Sequence, residues 1–198
     1  MQHAEIELKF CVGDARAFHA RAIRTGFVLQ TARSLERNTL HDTPQRRLLS
    51  ERQILRIREY NGRSVLTHKR PPAHNDDTSF YKERVETETE VSEPEALAAV
   101  FLELGYGPVF RYEKFRTEFH DGEGALLLDE TPIGDFAELE GSPEWIDRSL
   151  EKLGIARDLC FTDSYGRMFL NWKERCGLSA ENMTFAEIEA ARAIPCTA

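Results

Sequence analysis

Residues 5–10 have the sequence Glu-Ile-Glu-Leu-Lys-Phe, in which charged and apolar side chains alternate. Because side chains alternate between the two faces of an extended strand, the three charged residues share one face, and Ile6, Leu8 and Phe10 share the other. The predicted strand therefore has an ionic face and an apolar face. Taken by itself, this pattern is also typical of an ordinary strand at a protein surface.

The same spacing of charges returns in most of the other segments that we predict to be strands. The charged residues in these segments are Arg56 and Arg58, Lys69, Arg84, Glu86, Glu88 and Glu90, Lys114 and Arg116, Asp129, and Glu138 and Glu140. Repetition on this scale predicts that several strands direct charged side chains to one shared place.

The composition favours one domain with one core. The chain has 198 residues, of which 41% are hydrophobic and 30% are charged, which is too short for two full domains. A net charge of -8 argues against a nucleic-acid polymer as partner, since proteins that bind such polymers normally carry a basic surplus.

The sequence shows no targeting or membrane segment. No apolar run approaches the ~20 residues of a membrane span, and residues 1–5 lack a signal-peptide pattern. We therefore expect a cytoplasmic protein with no membrane partner. The cysteines and histidines are scattered, so neither a disulfide framework nor a zinc site is predicted.

Alternation, caps and turn formers predict the secondary structure. The predicted strands are 5–10, 27–31, 36–40, 53–60, 64–69, 82–91, 109–119, 125–129 and 136–140. The predicted helices are 15–24, 92–104, 142–153, one that starts at 163 or 164, and one that starts at 184. Asn61-Gly62 is a hairpin turn signal, and residues 71–79 form a polar loop long enough to close over a ligand.

Two helix features carry specific expectations. Ser92 is predicted to cap the second helix with Glu95 completing a capping box, and the stripe of Leu97, Val100, Phe101 and Leu104 is predicted to pack in the core. The aromatic residues Trp145 and Trp172 are likewise predicted to be core residues.

Both faces of each strand need a partner. If helices cover the apolar faces, the ionic faces point toward one another, which only a curved or closed antiparallel sheet permits. We therefore predict an α+β fold, a closed antiparallel β-barrel of eight strands with a charged lumen and helices packed outside. The alternative is a sandwich whose apolar faces pack together and whose charged faces are solvated.

A lumen with this many ions is expected to be wet and to hold a highly charged ligand, because desolvating one ion costs several kcal/mol. Clustered Arg and Lys side chains donate to phosphate oxygens. Clustered carboxylates hold hard cations such as Mg²⁺ or Mn²⁺. Both together predict a site for a metal ion and a polyphosphate.

The Glu-x-Glu-x-Lys pattern of residues 5–9 resembles the signature of the CYTH superfamily, the triphosphate tunnel metalloenzymes, which include class IV adenylate cyclases and thiamine triphosphatases. The resemblance covers about residues 4–172. Its further pieces, in order, are residues 41–44, 55–58, 66–71, 84–88, 114–116, 128–130, 134–140 and 164–165. Residues 1–176 would then be a CYTH-like triphosphate tunnel domain, and residues 177–198 a C-terminal helix and tail.

The resemblance also implies roles for the charged positions. The residues implied as metal ligands are Glu5, Glu7, Glu86, Glu88, Asp129, Glu138 and Glu140. Those implied to bind the triphosphate are Lys9, Arg56, Arg58, Lys69, Arg84, Lys114 and Arg116. Lys69, Glu7 and Arg58 are the catalytic candidates, with Lys69 or a second metal ion activating the nucleophile.

The resemblance implies Mg²⁺ or Mn²⁺ as cofactor and a small molecule bearing a triphosphate as substrate. Hydrolysis of inorganic tripolyphosphate, thiamine triphosphate or a nucleoside triphosphate is the favoured activity. A class IV adenylate cyclase, which forms cyclic AMP and pyrophosphate from ATP, is the first alternative. A polyphosphate-binding module without turnover is the second, and a homodimer is left open.

Overall fold

The computed structural model describes residues 2–73 and 80–193. Within these residues, nine strands form one antiparallel sheet, with helices among and after them. The strands are β1 (Gln2–Val12), β2 (Val28–Asp42), β3 (Ile54–Tyr60), β4 (Arg63–Arg70), β5 (Lys82–Glu90), β6 (Gly107–His120), β7 (Ala125–Thr131), β8 (Gly134–Glu140) and β9 (Cys160–Phe161). The helices are α1 (Ala15–Arg24), α2 (Arg47–Ser50), α3 (Pro94–Glu103), α4 (Pro143–Leu153), α5 (Tyr165–Cys176) and α6 (Phe185–Ala193), with a 3-10 turn at Arg157–Leu159.

The first strand closes the sheet into a barrel. Residues 2–7 of β1 pair with β5, and residues 7–12 pair with β8. The other neighbours run in the order β5-β4-β3-β2-β6-β7-β8, so eight strands form a closed ring, and β9 adds to β1 at Lys9 and Phe10. The predicted eight-stranded α+β barrel with outer helices is confirmed, and the sandwich is wrong.

Both faces of β1 are buried, which explains why its sequence alternates so strictly. Leu8 and Phe10 are 0% and 1% exposed on the outer face, and Glu7 and Lys9 are 7% and 2% exposed on the inner one. Burying a Leu or Phe side chain contributes about 1.5–3 kcal/mol, and a slip of one residue would exchange the two faces. The apolar face therefore fixes the register that holds the charges inside.

Helices α1 and α4 cover one part of the outer wall. Phe18 of α1 and the α4 residues Trp145, Ile146 and Leu150 are buried there in one apolar cluster with strand residues such as Leu139. Trp145 is 2% exposed, so its predicted role in the core is confirmed.

Helices α5 and α6 cover another part of the wall. Phe169 of α5 and Ile188 of α6 are buried in a second cluster with Tyr112 and Phe136. Trp172 packs against this cluster from a partly buried position. Helix α6, from the segment predicted to follow the tunnel domain, thus packs against the same barrel wall.

Helix α3 departs from the expectation for its apolar stripe. None of its residues, all of which the structure describes, is buried, and Val100 is 53% exposed. Leu104, the C-cap residue, is 67% exposed. Its N-cap is Glu93, one residue after Ser92, and Glu93 makes no capping hydrogen bond through its side chain. The predicted capping box and core stripe are wrong, because helical spacing of apolar residues does not reveal whether a partner surface is present.

The other predicted helix ends are confirmed by their caps. Ser142 and Ser164 accept hydrogen bonds from the backbone N–H groups of Trp145 and Arg167, and Gly154 ends α4 in the left-handed conformation with φ 67°. The start of α6 predicted at 184 is confirmed, since the Thr184 hydroxyl accepts a hydrogen bond from the backbone N–H of Glu187. The Glu187 carboxylate accepts a hydrogen bond from the backbone N–H of Asn182.

Strand β2 also differs from its prediction. The strands predicted at 27–31 and 36–40 form one continuous strand. Residues 41 and 42, where a turn at 41–44 was expected, also belong to that strand. Its register against β6 shifts between Leu29 and Thr31, between Thr31 and Ser34, and between Leu40 and His41. Residues 32–35 contain no Gly or Pro to make a turn, and bulges absorb the extra residues instead.

The hairpin at Asn61-Gly62 is confirmed, since both residues have positive φ, 50° and 73°, and Tyr60 pairs with Arg63. Most of the loop predicted at 71–79 and the tail predicted after Ile194 lie outside the described residues. Cys11, Cys160 and Cys176 are free thiols, and Cys196 lies outside the described residues.

Across residues 2–73 and 80–193, the structure contains no helix with the length and hydropathy required to cross a membrane.

Candidate active site

The inner faces of the strands enclose a cavity of about 300 Å³. Twelve of the predicted site residues line it, and they are Glu5, Glu7, Lys9, Arg56, Arg58, Lys69, Glu86, Glu88, Lys114, Arg116, Glu138 and Glu140. The expectation that charges spaced by two residues converge on one lumen is therefore correct for most positions.

Three predicted inward positions do not line the cavity. Asp129 is 0% exposed and lies behind Lys114 and Arg116, with which it forms ion pairs. Arg84 is partly buried, and its Nη1 donates to the backbone carbonyl of Glu83. Glu90 lies near the end of β5 and pairs with Arg63 at the surface, where both side chains are at least 70% exposed. The expectation that Glu90 faces inward is wrong, because β1 pairs with β5 only as far as Thr87 and Glu90 lies beyond this closure at the rim.

Glu5, Glu7 and Glu140 form a compact cluster that we call the acidic group. One carboxylate oxygen from each lies within 4.8 Å of the others. Backbone pairing enforces this approach, because Glu7 of β1 lies directly opposite Glu140 of β8. Three carboxylates at this separation repel one another unless cations neutralise them.

The pKa values of the acidic group show how unevenly it is neutralised. Burial raises the pKa of Glu140 to about 8, and the neighbouring Glu5, Glu138 and Glu7 add to this effect. Among the described residues, Glu140 forms no ion pair. Burial acts in the same direction on Glu7, but Lys82 and Lys9 outweigh it and lower the pKa of Glu7 to about 2.

Asp129 and Glu138 form a second cluster with Lys9, Lys114 and Arg116, which we call the paired network. Arg116 binds Asp129 through two hydrogen bonds of 2.7 and 2.6 Å, and its Nη2 lies 2.7 Å from Glu138. Lys114 lies 2.8 Å from Asp129, and Lys9 lies 2.7 Å from Glu138. Every member is at most 6% exposed, so this is a buried network in which each carboxylate already has cationic partners.

Tyr165 completes the paired network from outside the sheet. Its hydroxyl donates to Asp129 over 2.6 Å, and the ammonium groups of Lys9 and Lys114 lie 4.8 and 4.7 Å from its ring centroid. Tyr165 follows the cap of α5, so the start of this helix inserts a phenol ring between two lysines of the lumen. Burial and the adjacent Asp129 and Glu138 carboxylates raise the pKa of Tyr165, which keeps it a hydrogen-bond donor.

Glu36 of β2 is a further acid beside this network, and it is 0% exposed. Its Oε1 accepts from Asn38 over 2.9 Å and lies 3.4 Å from Lys114, and Oε2 has no hydrogen-bond partner among the described residues. Burial opposes its ionisation, but Lys114 and Arg116 lower the pKa of Glu36 to about 2. Glu36 thus adds a permanent negative charge behind two of the lumen cations.

Strands β3, β4 and β5 form the opposite wall. Arg56 donates to the Tyr112 hydroxyl over 3.1 Å and to Thr67 over 3.3 Å, and Arg58 lies 3.4 Å from Glu88. The Nε atoms of both arginines are buried without a hydrogen-bond partner among the described residues. Each therefore retains an unused N–H donor.

Lys69 and Glu86 lie between this wall and the acidic group. Lys69 Nζ lies 2.6 Å from Glu5 and 3.2 Å from Glu86. Burial raises the pKa of Glu86 despite the lysine. Within the described residues, the three-carboxylate set close enough to share one cation is the acidic group, which does not include Glu86 or Glu88.

Residues of the site that sequence reasoning missed include Glu36, Lys82, Tyr112 and Tyr165. Lys82 lies two residues before Arg84 and so has the inward parity, which is a signal that could have found it. Tyr112 has the same relation to Lys114. Tyr165 comes from a helix, and Glu36 from a strand with bulges, so strand alternation gave no signal for either.

The donors of the acidic group suit a hard divalent cation. Mg²⁺ and Mn²⁺ prefer carboxylate oxygens, and Glu140 is a partly buried acid that forms no ion pair with the described residues. Glu5, Glu7 and Glu140 would therefore hold such an ion.

A closed antiparallel tunnel with this ionic lumen defines the class of fold and site. The CYTH domain family matches residues 3–161, and the chain belongs to this family. A search of curated proteins found no match.

Three solved structures illustrate the likeness of the fold. A "putative adenylate cyclase" from Vibrio parahaemolyticus has 21% identity and a TM-score of 0.70, over 84% of this chain and 97% of that one. The PH1819 protein from Pyrococcus horikoshii has 24% identity and a TM-score of 0.70, over 84% and 98%. A "putative adenylyl cyclase" from Hippeastrum, described as having a dominant triphosphatase activity, has 19% identity and a TM-score of 0.59, over 86% and 96%.

Proposed function

We propose that this chain is a divalent-metal-dependent enzyme that hydrolyses a triphosphate held in the lumen. The observation that carries the proposal is the arrangement of charge in one closed cavity. Three carboxylates without a full set of cations lie within 4.8 Å of one another, and arginines with unused donors line the wall formed by β3. A metal ion and a chain of phosphates supply the two kinds of charge that this cavity lacks.

Each part of the lumen has a definite role in this proposal. Glu5, Glu7 and Glu140 would hold Mg²⁺ or Mn²⁺, which supplies Lewis-acid polarisation of the phosphate oxygens when bound. Arg56 and Arg58 donate their unused N–H groups to the phosphates and stabilise the charge that develops on them. Because Asp129 and Glu138 already hold Lys9, Lys114 and Arg116, we assign them the task of fixing these cations rather than binding metal.

Lys69 is the proposed group beside the nucleophile. Its ammonium group lies 2.6 Å from Glu5 of the acidic group and lines the same cavity. In this position it orients an attacking water and neutralises the charge that forms at the terminal phosphorus. Burial acts against protonation, but the acids Glu5 and Glu86 raise the pKa of Lys69, so it acts as a cation and not as a base.

The size of the lumen supports hydrolysis of a compact substrate. A cavity of about 300 Å³ is at the lower end of the range for small-molecule sites, which is roughly 300–1,000 Å³. The triphosphate therefore occupies the lumen, and any organic group attached to it lies toward an opening. Inorganic tripolyphosphate, or the triphosphate end of a thiamine or nucleoside ester, meets this condition.

Adenylate cyclase activity is the second candidate, and the description of the Vibrio parahaemolyticus neighbour as a "putative adenylate cyclase" supports it. Incubation with tripolyphosphate, thiamine triphosphate and ATP, each with Mg²⁺ or Mn²⁺, separates the two. Orthophosphate as product supports hydrolysis, whereas cyclic AMP with pyrophosphate identifies a cyclase. Metal-dependent binding with no product from any of the three would contradict both and leave a binding module.

A further inference from the structure

Glu7 lies in a row of three residues that the backbone pairing fixes. On one side its cross-strand neighbour is Glu140 of β8, and on the other it is Lys82 of β5. Two cations must therefore approach the carboxylate of Glu7. One is the ammonium group of Lys82, and the other is a metal ion shared by Glu7 and Glu140. No change of rotamer at Glu7 removes this competition, since both neighbours are adjacent to it in the sheet.

Lys82 already uses that carboxylate. Its Nζ contacts Glu7 Oε1, its side chain is 17% exposed, and it lines the same cavity as the acidic group. After burial, Lys82 is the largest influence on the pKa of Glu7, which it lowers. Lys82 is thus the counter-charge of Glu7 in the protein without a metal ion.

The start of β5 is held in place on its other face. The Tyr81 hydroxyl donates to Asp147 over 2.7 Å, and Arg157 donates to the same carboxylate over 2.9 Å. The Arg157 guanidinium also lies 4.2 Å above the ring centroid of Phe80. These contacts tie the residues before Lys82 to α4 and to the 3-10 turn. When the charge at Glu7 changes, we therefore expect the Lys82 side chain to move and its backbone to stay in place.

We propose that Lys82 has two partners in turn: it holds Glu7 before a metal ion binds, and it binds the phosphate chain afterwards. This inference rests on the proposed function of the acidic group as a metal site. A divalent cation at Glu7 repels the ammonium group, and the flexible four-carbon stem of lysine lets the charge move into the lumen. The phosphates then supply the negative charge that Glu7 no longer offers.

This exchange couples the two ligands. Metal binding costs the contact between Lys82 and Glu7, and phosphate binding gives Lys82 a new partner, so each ligand promotes the other. The coupling requires a positive charge at residue 82.

The first test measures Mn²⁺ affinity without any phosphate, from the electron paramagnetic resonance signal of the free ion. Lys82→Met removes the competing charge and keeps the length of the stem, and we expect it to bind Mn²⁺ about tenfold more tightly than the wild type. Lys82→Arg keeps the charge and should bind with an affinity close to that of the wild type. Lys173→Met, an equal loss of charge on α5 outside the cavity lining, is the matched control and should change nothing.

The second test measures the affinity for a methylene-bridged triphosphate, which is not hydrolysed. In EDTA, Lys82→Met should bind it as the wild type does, because Lys82 is then engaged by Glu7. With Mn²⁺ present, the variant should bind it about tenfold more weakly, because the released ammonium is missing. Equal weakening under both conditions would show that Lys82 is a permanent phosphate ligand and would overturn the exchange.

The two tests separate this inference from the proposed function. If the wild type binds Mn²⁺ and Lys82→Met binds it no more tightly, the exchange at Glu7 is wrong and the metal site stands. If the wild type binds no Mn²⁺, the metal site fails and the exchange fails with it. A thermal unfolding curve for each variant confirms that the comparison is made between folded proteins.

Discussion

The acidic group and the paired network share two strands, yet their charges are balanced in opposite ways. Glu138 and Glu140 lie two residues apart on β8 and both point into the lumen. Lys9, Lys114 and Arg116 outweigh the effect of burial on Glu138 and hold its pKa well below the usual range, whereas burial and three neighbouring acids raise the pKa of Glu140 to about 8. The same residue type on the same strand therefore has opposite shifts in pKa, and the neighbouring charges decide the direction.

The largest effect is expected from breaking the paired network. Asp129→Asn leaves Lys114 and Arg116 buried beside a neutral group, and removing one partner of a buried pair typically costs about 3–5 kcal/mol of unfolding free energy. Urea denaturation measures this loss. Asp163→Asn, which weakens an exposed pair with Arg167, is the control and should cost less than about 1 kcal/mol. A similar small cost for both variants would contradict the structural role given to Asp129.

The opposite outcome is expected in the acidic group. Glu140→Gln removes a metal ligand but, below pH 8, removes no charge from the metal-free protein, because Glu140 is then protonated, so we expect Mn²⁺ affinity to fall by about 100-fold while stability in EDTA is kept. Calorimetric titration with Mn²⁺ measures the first quantity and urea denaturation the second. Glu138→Gln provides the comparison on the same strand, and it should lose stability because Lys9 and Arg116 then lack a partner. If Glu140→Gln bound Mn²⁺ as the wild type does, the acidic group would not be the metal site.

The pH dependence of stability sharpens the contrast further. Because the pKa of Glu140 is about 8 in the folded protein and near 4.5 in the unfolded chain, the folded state holds an extra proton between these values. Unfolding free energy without metal should therefore decrease as the pH rises from about 4.5 to about 8. Glu140→Gln should lack this decrease.

Glu7 titrates in the other direction and in a separate window. Its lowered pKa of about 2 contributes stability that is present above pH 4.5 and is lost as the pH falls toward 2. Denaturation curves collected in EDTA from pH 2 to pH 9 cover both windows. A flat profile for the wild type between pH 4.5 and 8 would contradict the assignment of an uncompensated acid at Glu140.

The smallest effect is expected at the arginine wall. Arg58→Ala removes a cation with an unused Nε donor, and we expect KM for the triphosphate to rise about tenfold with a smaller change in kcat. Arg63→Ala, in the same hairpin but 75% exposed and paired with Glu90, is the matched control and should behave as the wild type. Steady-state kinetics on tripolyphosphate measures both, and an unchanged KM for Arg58→Ala would remove this residue from the proposed binding set.

The sequence allowed the barrel to be predicted because strands such as β1 and β8 carry two different faces that are both buried. The sequence did not reveal which carboxylates in the lumen form ion pairs with lysines and arginines. Glu138 and Glu140 have identical spacing signals, and only the distances to Lys9 and Arg116 distinguish them. The resemblance implied both as metal ligands, and that assignment stays a prediction.

Other features could not be predicted for reasons of context. Tyr165 reaches the lumen from a helix, where strand alternation does not apply. The stripe of α3 has the spacing of a core helix, yet Val100 is more than half exposed, because a periodic pattern describes a helix and not its surroundings. Lys82 had the right parity and lay in the predicted strand, but the family resemblance implied no role for it.

The closure of the ring by β1 has a consequence for how the protein folds. This strand pairs with segments that lie about 75 and 130 positions later in the chain, so its partners are made long after it. Contacts of such high sequence separation form slowly, because the intervening chain must first be ordered. Glu7 acquires Lys82 and Glu140 as neighbours only when the ring closes, so we expect the proposed metal site to be complete only in molecules with a closed ring.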